Sequence, residues 1–224
     1  ITEDFDSGSL GPDLLVTFNN GDDQNFVFED GGILFGSERG GDPGRAFVGT
    51  TQDDFIGVDF TASVDITIAE GGGDNAFIGL GPGTQSRFGV PGNGPALFYG
   101  FNTNGNVFGA DVDAGNGATG GQSIGTLGGP GDYTLQLDYV AATQVLSLSA
   151  TGLDADGDIV TVTGSLDGSG NSFGPTGSRI FFGGDDNTSF DNFSVVTAVP
   201  EPSSMALLGA GVIGLMLRRR RAQA

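Results

Sequence analysis

The chain has 224 residues and a formal net charge of −20, with 43 Gly, no Cys, no His and no Trp, and all 8 basic residues are Arg. This length gives room for one large domain or two small ones and a sizeable core, which excludes a disulfide-stapled mini-protein. Missing imidazole and thiol exclude a Ser-His-Asp triad, a Cys nucleophile and a Cys/His zinc site, and missing Lys excludes a Schiff base or a P-loop lysine. Before residue 200 the sequence holds 27 acids against Arg39, Arg45, Arg87 and Arg179, a net of −23. Such a body repels phosphate backbones, so no nucleic-acid partner is expected.

In chain order, short apolar runs at 14–19, 25–28, 32–36 and 45–49 predict strands. In the longest periodic segment, 56–68, Ile56, Val58, Phe60, Ala62, Val64, Ile66 and Ile68 alternate with polar or small residues, which predicts one long half-buried strand. A strand at 75–80 runs into Gly79-Leu80-Gly81-Pro82-Gly83, read as a turn. Phe101 to Phe108 predicts a hairpin, with Asn104-Gly105 suited to the positive φ angles of a type I′ turn. Gly121-Gln122-Ser123-Ile124-Gly125 reads as a glycine-rich loop. Tyr133, Leu135, Leu137 and Tyr139 alternate with polar residues, a turn follows at Ala141 to Thr143, and Leu146, Leu148 and Ala150 alternate in their turn. Asp154-Ala155-Asp156-Gly157-Asp158 reads as the next turn, with further strands at 159–163, 179–183 and 190–197. No window before Ser203 repeats every 3.6 residues with helix formers. The pattern predicts an all-β, two-sheet antiparallel β-sandwich or jelly roll over residues 1–198.

Motifs that imitate active sites lack their partners. Gly121 to Gly125 matches the nucleophile elbow G-x-S-x-G, which needs a His base and a following helix. Asp154, Asp156 and Asp158 have the alternating spacing of a calcium loop, but the Gly stands at 157 and no Glu follows at 165. Glycoside hydrolysis needs two carboxylates about 5–9 Å apart. Glu3, Glu29, Glu38 and Glu70 offer no such pair, and Asp59 and Asp65 lie about 20 Å apart along one strand. The body is therefore expected not to be an enzyme. The Phe residues, Tyr133 and Tyr139 are expected in the core, leaving Asp, Asn and backbone amides around 99–106 or 183–192 for a shallow sugar site.

From Val199 the composition changes. Val199-Pro200-Glu201-Pro202 precedes Ser203 and Ser204, then the uncharged run Met205 to Leu217, then Arg218 to Arg221. The run predicts a helix over 203–217, at about 20–22 Å shorter than the ~30 Å hydrocarbon core. Met205, Leu207, Leu208, Val212, Ile213, Leu215 and Leu217 with Arg218, Arg219, Arg220 and Arg221 make a marginal anchor. Its Arg block stays cytoplasmic by the positive-inside rule, placing the acidic body outside. This three-part order resembles the PEP-CTERM sorting signal of Gram-negative bacteria. The resemblance implies an exported client of an exosortase, held transiently in the inner membrane, with Pro200, Glu201 and Pro202 as the recognised residues. It also implies delivery to the cell envelope or to an extracellular, polysaccharide-rich matrix. Proteins of that kind begin with a signal peptide, whose basic and apolar regions Ile1-Thr2-Glu3-Asp4 does not show, so the start is expected to be processed or incomplete.

Three segments of the body, Asp4-Phe5-Asp6-Ser7-Gly8, Tyr133 to Tyr139 and Ser189 to Val195, resemble the first, middle and last strands of concanavalin A-like lectin and laminin-G sandwiches. The resemblance implies terminal strands at 2–6 and 190–197 lying side by side, with Asp4 or Asp6 and Asp191 around a structural Ca2+. No cofactor is otherwise required. The chain as a whole reads as a non-catalytic surface or matrix protein; the alternatives are a carbohydrate-binding, lectin-like module and, after it, a glycoside hydrolase.

Overall fold

The computed structural model describes residues 1–19, 26–29, 31–35, 46–68, 75–83, 95–102, 104–113, 117–154, 156–184 and 188–198. The first half of the chain forms β1 (Thr2–Glu3), β2 (Leu14–Asn19), β3 (Phe26–Glu29), β4 (Gly32–Phe35), β5 (Ala46–Thr50), a 3-10 turn at Phe55–Gly57, β6 (Phe60–Ile68) and β7 (Asn75–Gly81). The second half forms β8 (Ala96–Asn102), β9 (Asn106–Asp113), β10 (Gly117–Thr126), β11 (Gly131–Val140), β12 (Val145–Leu153), β13 (Ile159–Asp167), β14 (Arg179–Gly184) and β15 (Thr188–Thr197). Sheet A has eight strands in the order β13-β12-β11-β6-β15-β4-β3, with β1 also paired to β15. Sheet B has seven, in the order β10-β9-β8-β7-β14-β5-β2. The expected antiparallel sandwich is formed, with its first and last strands adjacent: Thr2 stands opposite Ser194 and Glu3 opposite Phe193. β1 stops at Glu3, short of the expected residue 6.

The two sheets are buried differently. In β11, Tyr133, Leu135, Leu137 and Tyr139 point into the core while Asp132, Thr134 and Gln136 face solvent, so sheet A has one apolar and one polar face. In sheet B, β5 is buried along its whole length and β8 from Ala96 to Phe101. One of its faces gives Val48, Ile78, Leu80, Leu97, Tyr99 and Phe182 to the main core. The other gives Phe47, Phe77, Phe98 and Phe181 to a second cluster of edge-on rings. A strand covered on both faces reads as a continuous apolar run, which is what these segments of the sequence show.

Phe182 joins the layers. Its ring centroid is 4.8 Å from that of Phe193, 5.1 Å from Phe190 and 6.1 Å from Phe5. Phe5 holds φ at +55° to insert its ring, a left-handed backbone that costs a non-glycine residue about 1–2 kcal/mol; full burial of the ring offsets that cost. A polar tie also crosses the core, where the buried Tyr99 hydroxyl of sheet B donates to the Leu146 carbonyl of sheet A at 2.7 Å. On the periphery Arg179, the sole Arg among the described residues, donates to the carbonyls of Thr50 and Thr51 and pairs with Asp53 at 3.3 Å.

Three expectations need correction. The strand predicted for 56–68 begins at Phe60, because the Phe55 N–H donates to Ser178 and the chain turns there to bury the Phe55 ring against Phe60. The supposed turn at Gly79–Gly83 starts inside β7. Gly79 is required because a Cβ there would lie 2.3 Å from the Leu97 carbonyl oxygen of β8. The supposed loop at Gly121–Gly125 is inside β10, a small-residue strand with two register shifts against β9 and none of the alternation that marks strands in sequence. The helix expected at 203–217 lies outside the described residues.

Phe182→Ala is expected to destabilise the fold by about 3–5 kcal/mol in urea unfolding, and the exposed Thr163→Ala by less than ~0.5 kcal/mol. Burial also raises the phenol pKa values, that of Tyr139 to about 12 and that of Tyr99 further, from an ordinary 10.0. The unfolded chain ionises first, so this stability is fully present below pH 10 and is lost as pH rises through the folded values. Unfolding free energy measured against pH should be flat to about pH 10 and then fall, with a shallower fall in Tyr99→Phe.

Candidate functional site

The polar face of sheet A is an array of hydroxyl and carboxyl groups set by strand register. One row across the strands reads Asp191, Asp65, Thr134, Thr151, Thr161, and the next reads Ser194, Ser63, Gln136, Ser149, Thr163. Side chains along these rows and the two rows flanking them bond to one another: Thr134 Oγ1 donates to Asp65 at 2.7 Å, Thr67 Oγ1 to Asp132 at 2.7 Å and Thr61 Oγ1 to Asp138 at 2.6 Å. Ser63 and Ser194 share a hydrogen bond of 2.8 Å.

At one end of this face a depression of about 430 Å3 is lined by Asp65, Thr67, Asp132, Thr134, Thr151, Ser189, Asp191 and Asn192. Its shape follows from an irregularity in β15. Between Asp191 and Ser194 the register with β6 shifts, and Asn192 takes φ +51°. The bulge also marks a change of neighbour: residues 188–190 pair with β4, and residues 193–194 pair with β1. Phe193 turns into the core while Asn192 stays on the exposed face.

Asp65 and Asp191 stand directly opposite each other, an arrangement that like charge destabilises. The Asn192 side-chain amide lies between them, donating to Asp65 Oδ2 at 3.0 Å and to Asp191 Oδ2 at 3.2 Å. The Asn192 backbone N–H donates to Asp191 Oδ1 at 2.6 Å. Asp65 Oδ1 takes the Thr134 hydroxyl, so all four oxygens of this acid pair accept hydrogen bonds within the protein. Such carboxylates are held as acceptors, and each oxygen keeps a second lone pair that can accept from a ligand.

The residues expected around Ca2+ are not gathered. Among the described residues no group of three or more acidic side chains could hold a metal ion. Asp4 accepts the Asp6 N–H at 3.3 Å, the Asp6 carboxylate lies against Gly31, and Asp191 belongs to the amide-bridged pair. Ca2+ takes six to eight oxygens, backbone carbonyls and water among them, and the described acidic side chains do not join into a cluster of three toward it. The Asp154–Asp158 segment is a turn whose amides at Asp156 and Asp158 are satisfied by Asp154 Oδ1. Of the two regions expected for sugar contact, 183–192 reaches the depression through Ser189, Asp191 and Asn192. Tyr99 is fully buried in the core. No described aromatic side chain is exposed. Sequence reasoning paired Asp65 with the distant Asp59 along one strand; the fold pairs it with Asp191 across two, and Asp132 and Thr134 join from β11.

Pro200, Glu201 and Pro202, the apolar residues from Met205 to Leu217 and the Arg block lie outside the described residues. Residues 198–221 match the family model described as the PEP-CTERM protein-sorting motif. No curated protein matches the chain. Solved structures show the fold of the body to be concanavalin A-like. The winged bean acidic lectin complexed with methyl-α-D-galactose aligns with TM-score 0.56 and 13% identity over 85% of this chain and 94% of that one. A Lotus tetragonolobus seed lectin aligns with TM-score 0.54 and 11% identity over 87% and 97%. The exoplasmic/lumenal domain of VIP36, in its form bound to Ca2+ and Man3GlcNAc, aligns with TM-score 0.55 and 14% identity over 87% and 88%.

Asn192→Val is expected to destabilise the protein by about 2 kcal/mol through left-handed strain and an unbridged acid pair. Asn192→Gly keeps the backbone and should lose less. Adding Asp191→Asn to Asn192→Val should restore part of the loss, because it removes the facing charge; urea unfolding of the three variants measures both contributions.

Proposed function

We propose that the chain is an exported, non-catalytic protein of the cell envelope or extracellular matrix, sorted by its C-terminal segment and meeting extracellular glycan through the polar face of sheet A. The match of residues 198–221 to the sorting motif carries the first part. In that reading an exosortase recognises Pro200, Glu201 and Pro202 while the apolar segment and Arg218 to Arg221 hold the tail in the inner membrane. The Arg block remains cytoplasmic, and the body is released on the far side.

The glycan part rests on the exposed array of hydroxyl, amide and carboxylate groups around the depression, whose chemistry matches that of sugar hydroxyls. Asn192, Thr67, Thr134 and Thr151 surround the floor; the side-chain protons of Asn192, Thr67 and Thr134 are given to carboxylates, so these groups meet sugar hydroxyls as acceptors. The lectin neighbours supply an analogy of fold. Stacking on an aromatic ring is not part of this mode, so the affinity of one contact is low and binding to a repeating polymer depends on several contacts at once. Hydrolysis is disfavoured because Asp65 and Asp191 have all four oxygens engaged as acceptors, whereas a general acid must present a proton to the leaving oxygen.

Cell fractionation of Glu201→Ala against the parent tests sorting: the variant is expected to stay with the inner membrane while the parent reaches the envelope or medium, and identical distribution would contradict the tag. Thr134→Ala with Thr67→Ala is expected to weaken retention on a neutral polysaccharide column by about fivefold or more, from the loss of two hydrogen bonds of ~0.5–1.5 kcal/mol each. Equal retention would exclude this face.

A further inference from the structure

Among the described residues, four large aliphatic side chains stand exposed on the polar face of sheet A: Val140, Leu153, Ile159 and Val196. Val140 and Val196 lie near the C-terminal ends of β11 and β15, away from the depression. Leu153 and Ile159 face each other across β12 and β13, and are 52% and 78% exposed. They are the next pair along from Thr151 and Thr161 on the same face, and Thr151 lines the depression. Thr134 stands opposite Thr151, so Leu153 is its diagonal neighbour at about 7–8 Å. An aliphatic ledge of two branched side chains therefore borders the depression on this side.

The hydroxyl pair beside the ledge has a proton to spare. Thr151 and Thr161 share one hydrogen bond of 2.9 Å in which either hydroxyl can donate, so the other keeps its proton for a ligand. Deeper in the depression the side-chain protons of Thr67, Thr134 and Asn192 go to carboxylates, which leaves acceptors. The order along the face is thus acceptors, then a hydroxyl donor, then an apolar ledge. A sugar bearing hydroxyl groups alone uses the first two and leaves Leu153 and Ile159 uncovered.

We propose that the ligand of this face carries acetamido groups, and that Leu153 and Ile159 with the Thr151–Thr161 pair form a subsite for one of them. The proposal rests on the glycan reading of the depression and names the sugar class, a polymer of N-acetylated amino sugars. The acetamido N–H donates to the acceptors of the depression, its carbonyl takes the spare proton of Thr151 or Thr161, and its methyl group covers the ledge. Each of its three parts meets a complement within two neighbouring cross-strand pairs. The group is uncharged, so a body of net −23 does not repel it as it repels a uronate. The two aliphatic side chains supply the apolar contact on a face where no described aromatic side chain is exposed.

Titration calorimetry of the full-length chain with chitotetraose and cellotetraose tests this, because the two tetramers differ only in the acetamido group that replaces a hydroxyl. The parent is expected to bind chitotetraose about tenfold more tightly, roughly fourfold of it from covering a methyl group and the rest from the added hydrogen bond. Leu153→Thr with Ile159→Thr removes the ledge and should bring that ratio to about threefold or less. Val140→Thr, exposed on the same face and remote from the depression, should keep the parent's ratio. Equal binding of the two tetramers by the parent overturns the acetamido subsite and leaves the glycan reading standing, whereas binding of neither overturns both. The proposal also fails if the ledge variant keeps the parent's ratio. It fails as well if the fully deacetylated tetramer binds more tightly than chitotetraose, which marks attraction of ammonium groups to the acids.

Discussion

Everything exposed on sheet A depends on the aromatic packing hidden behind it. Phe182 of sheet B meets Phe190 and Phe193 of β15 at 5.1 and 4.8 Å, and those contacts fix which side of β15 faces inward. In a strand the side chains alternate, so a slip of one residue would send Asp191 into the core and Phe190 to solvent. The neighbouring strands obey the same restriction through Ile66, Leu135 and Leu148, all buried. The ordered rows of Thr, Ser and Asp on the far side are thus a consequence of core register, before any functional requirement is added.

Sheet B makes this asymmetry possible. Because its central strands are covered on both faces, most of the aromatic content is taken up there and between the sheets, and the described part of sheet A faces solvent with small polar groups, apart from Val140, Leu153, Ile159 and Val196. One local exception shapes the candidate site. β15 must change partner from β4 to β1, and the bulge that accomplishes this leaves Asn192 in a left-handed conformation with its amide between two carboxylates. The same event that completes the pairing of the chain ends therefore organises the floor of the depression and sets an amide donor between two facing acids.

The sandwich was legible because period-two alternation is a local property. Tyr133 to Tyr139 and Leu146 to Ala150 show it, and both form strands with the expected inward faces. β10 was not legible, since Gly117 to Thr126 is mostly small residues and its pairing is set by β9. The 3-10 turn at Phe55–Gly57 interrupts an alternation that in sequence runs on unbroken, because burying Phe55 against Phe60 outweighs continuing the strand. The site was harder still. Asp65, Asp132 and Asp191 are each an ordinary polar position in an alternating strand, and only the pairing of β11, β6 and β15 brings them together. The expected calcium grouping joined residues by analogy across a chain-end pairing that does form, yet Asp191 stands opposite Asp65 in the regular register of β15 with β6, and the bulge begins only after it.

Tail and body divide the work in this account: the segment at 198–221 directs the protein outward, and the polar face of sheet A is what it displays on arrival. The most direct measurement is an NMR titration of the chain with a neutral oligosaccharide, following backbone amides and the Asn192 side-chain amide. Shifts concentrated at Thr67, Thr134, Thr151 and Asn192, with sheet B unchanged, are the predicted result. No shifts on this face, or shifts confined to sheet B, would contradict the account.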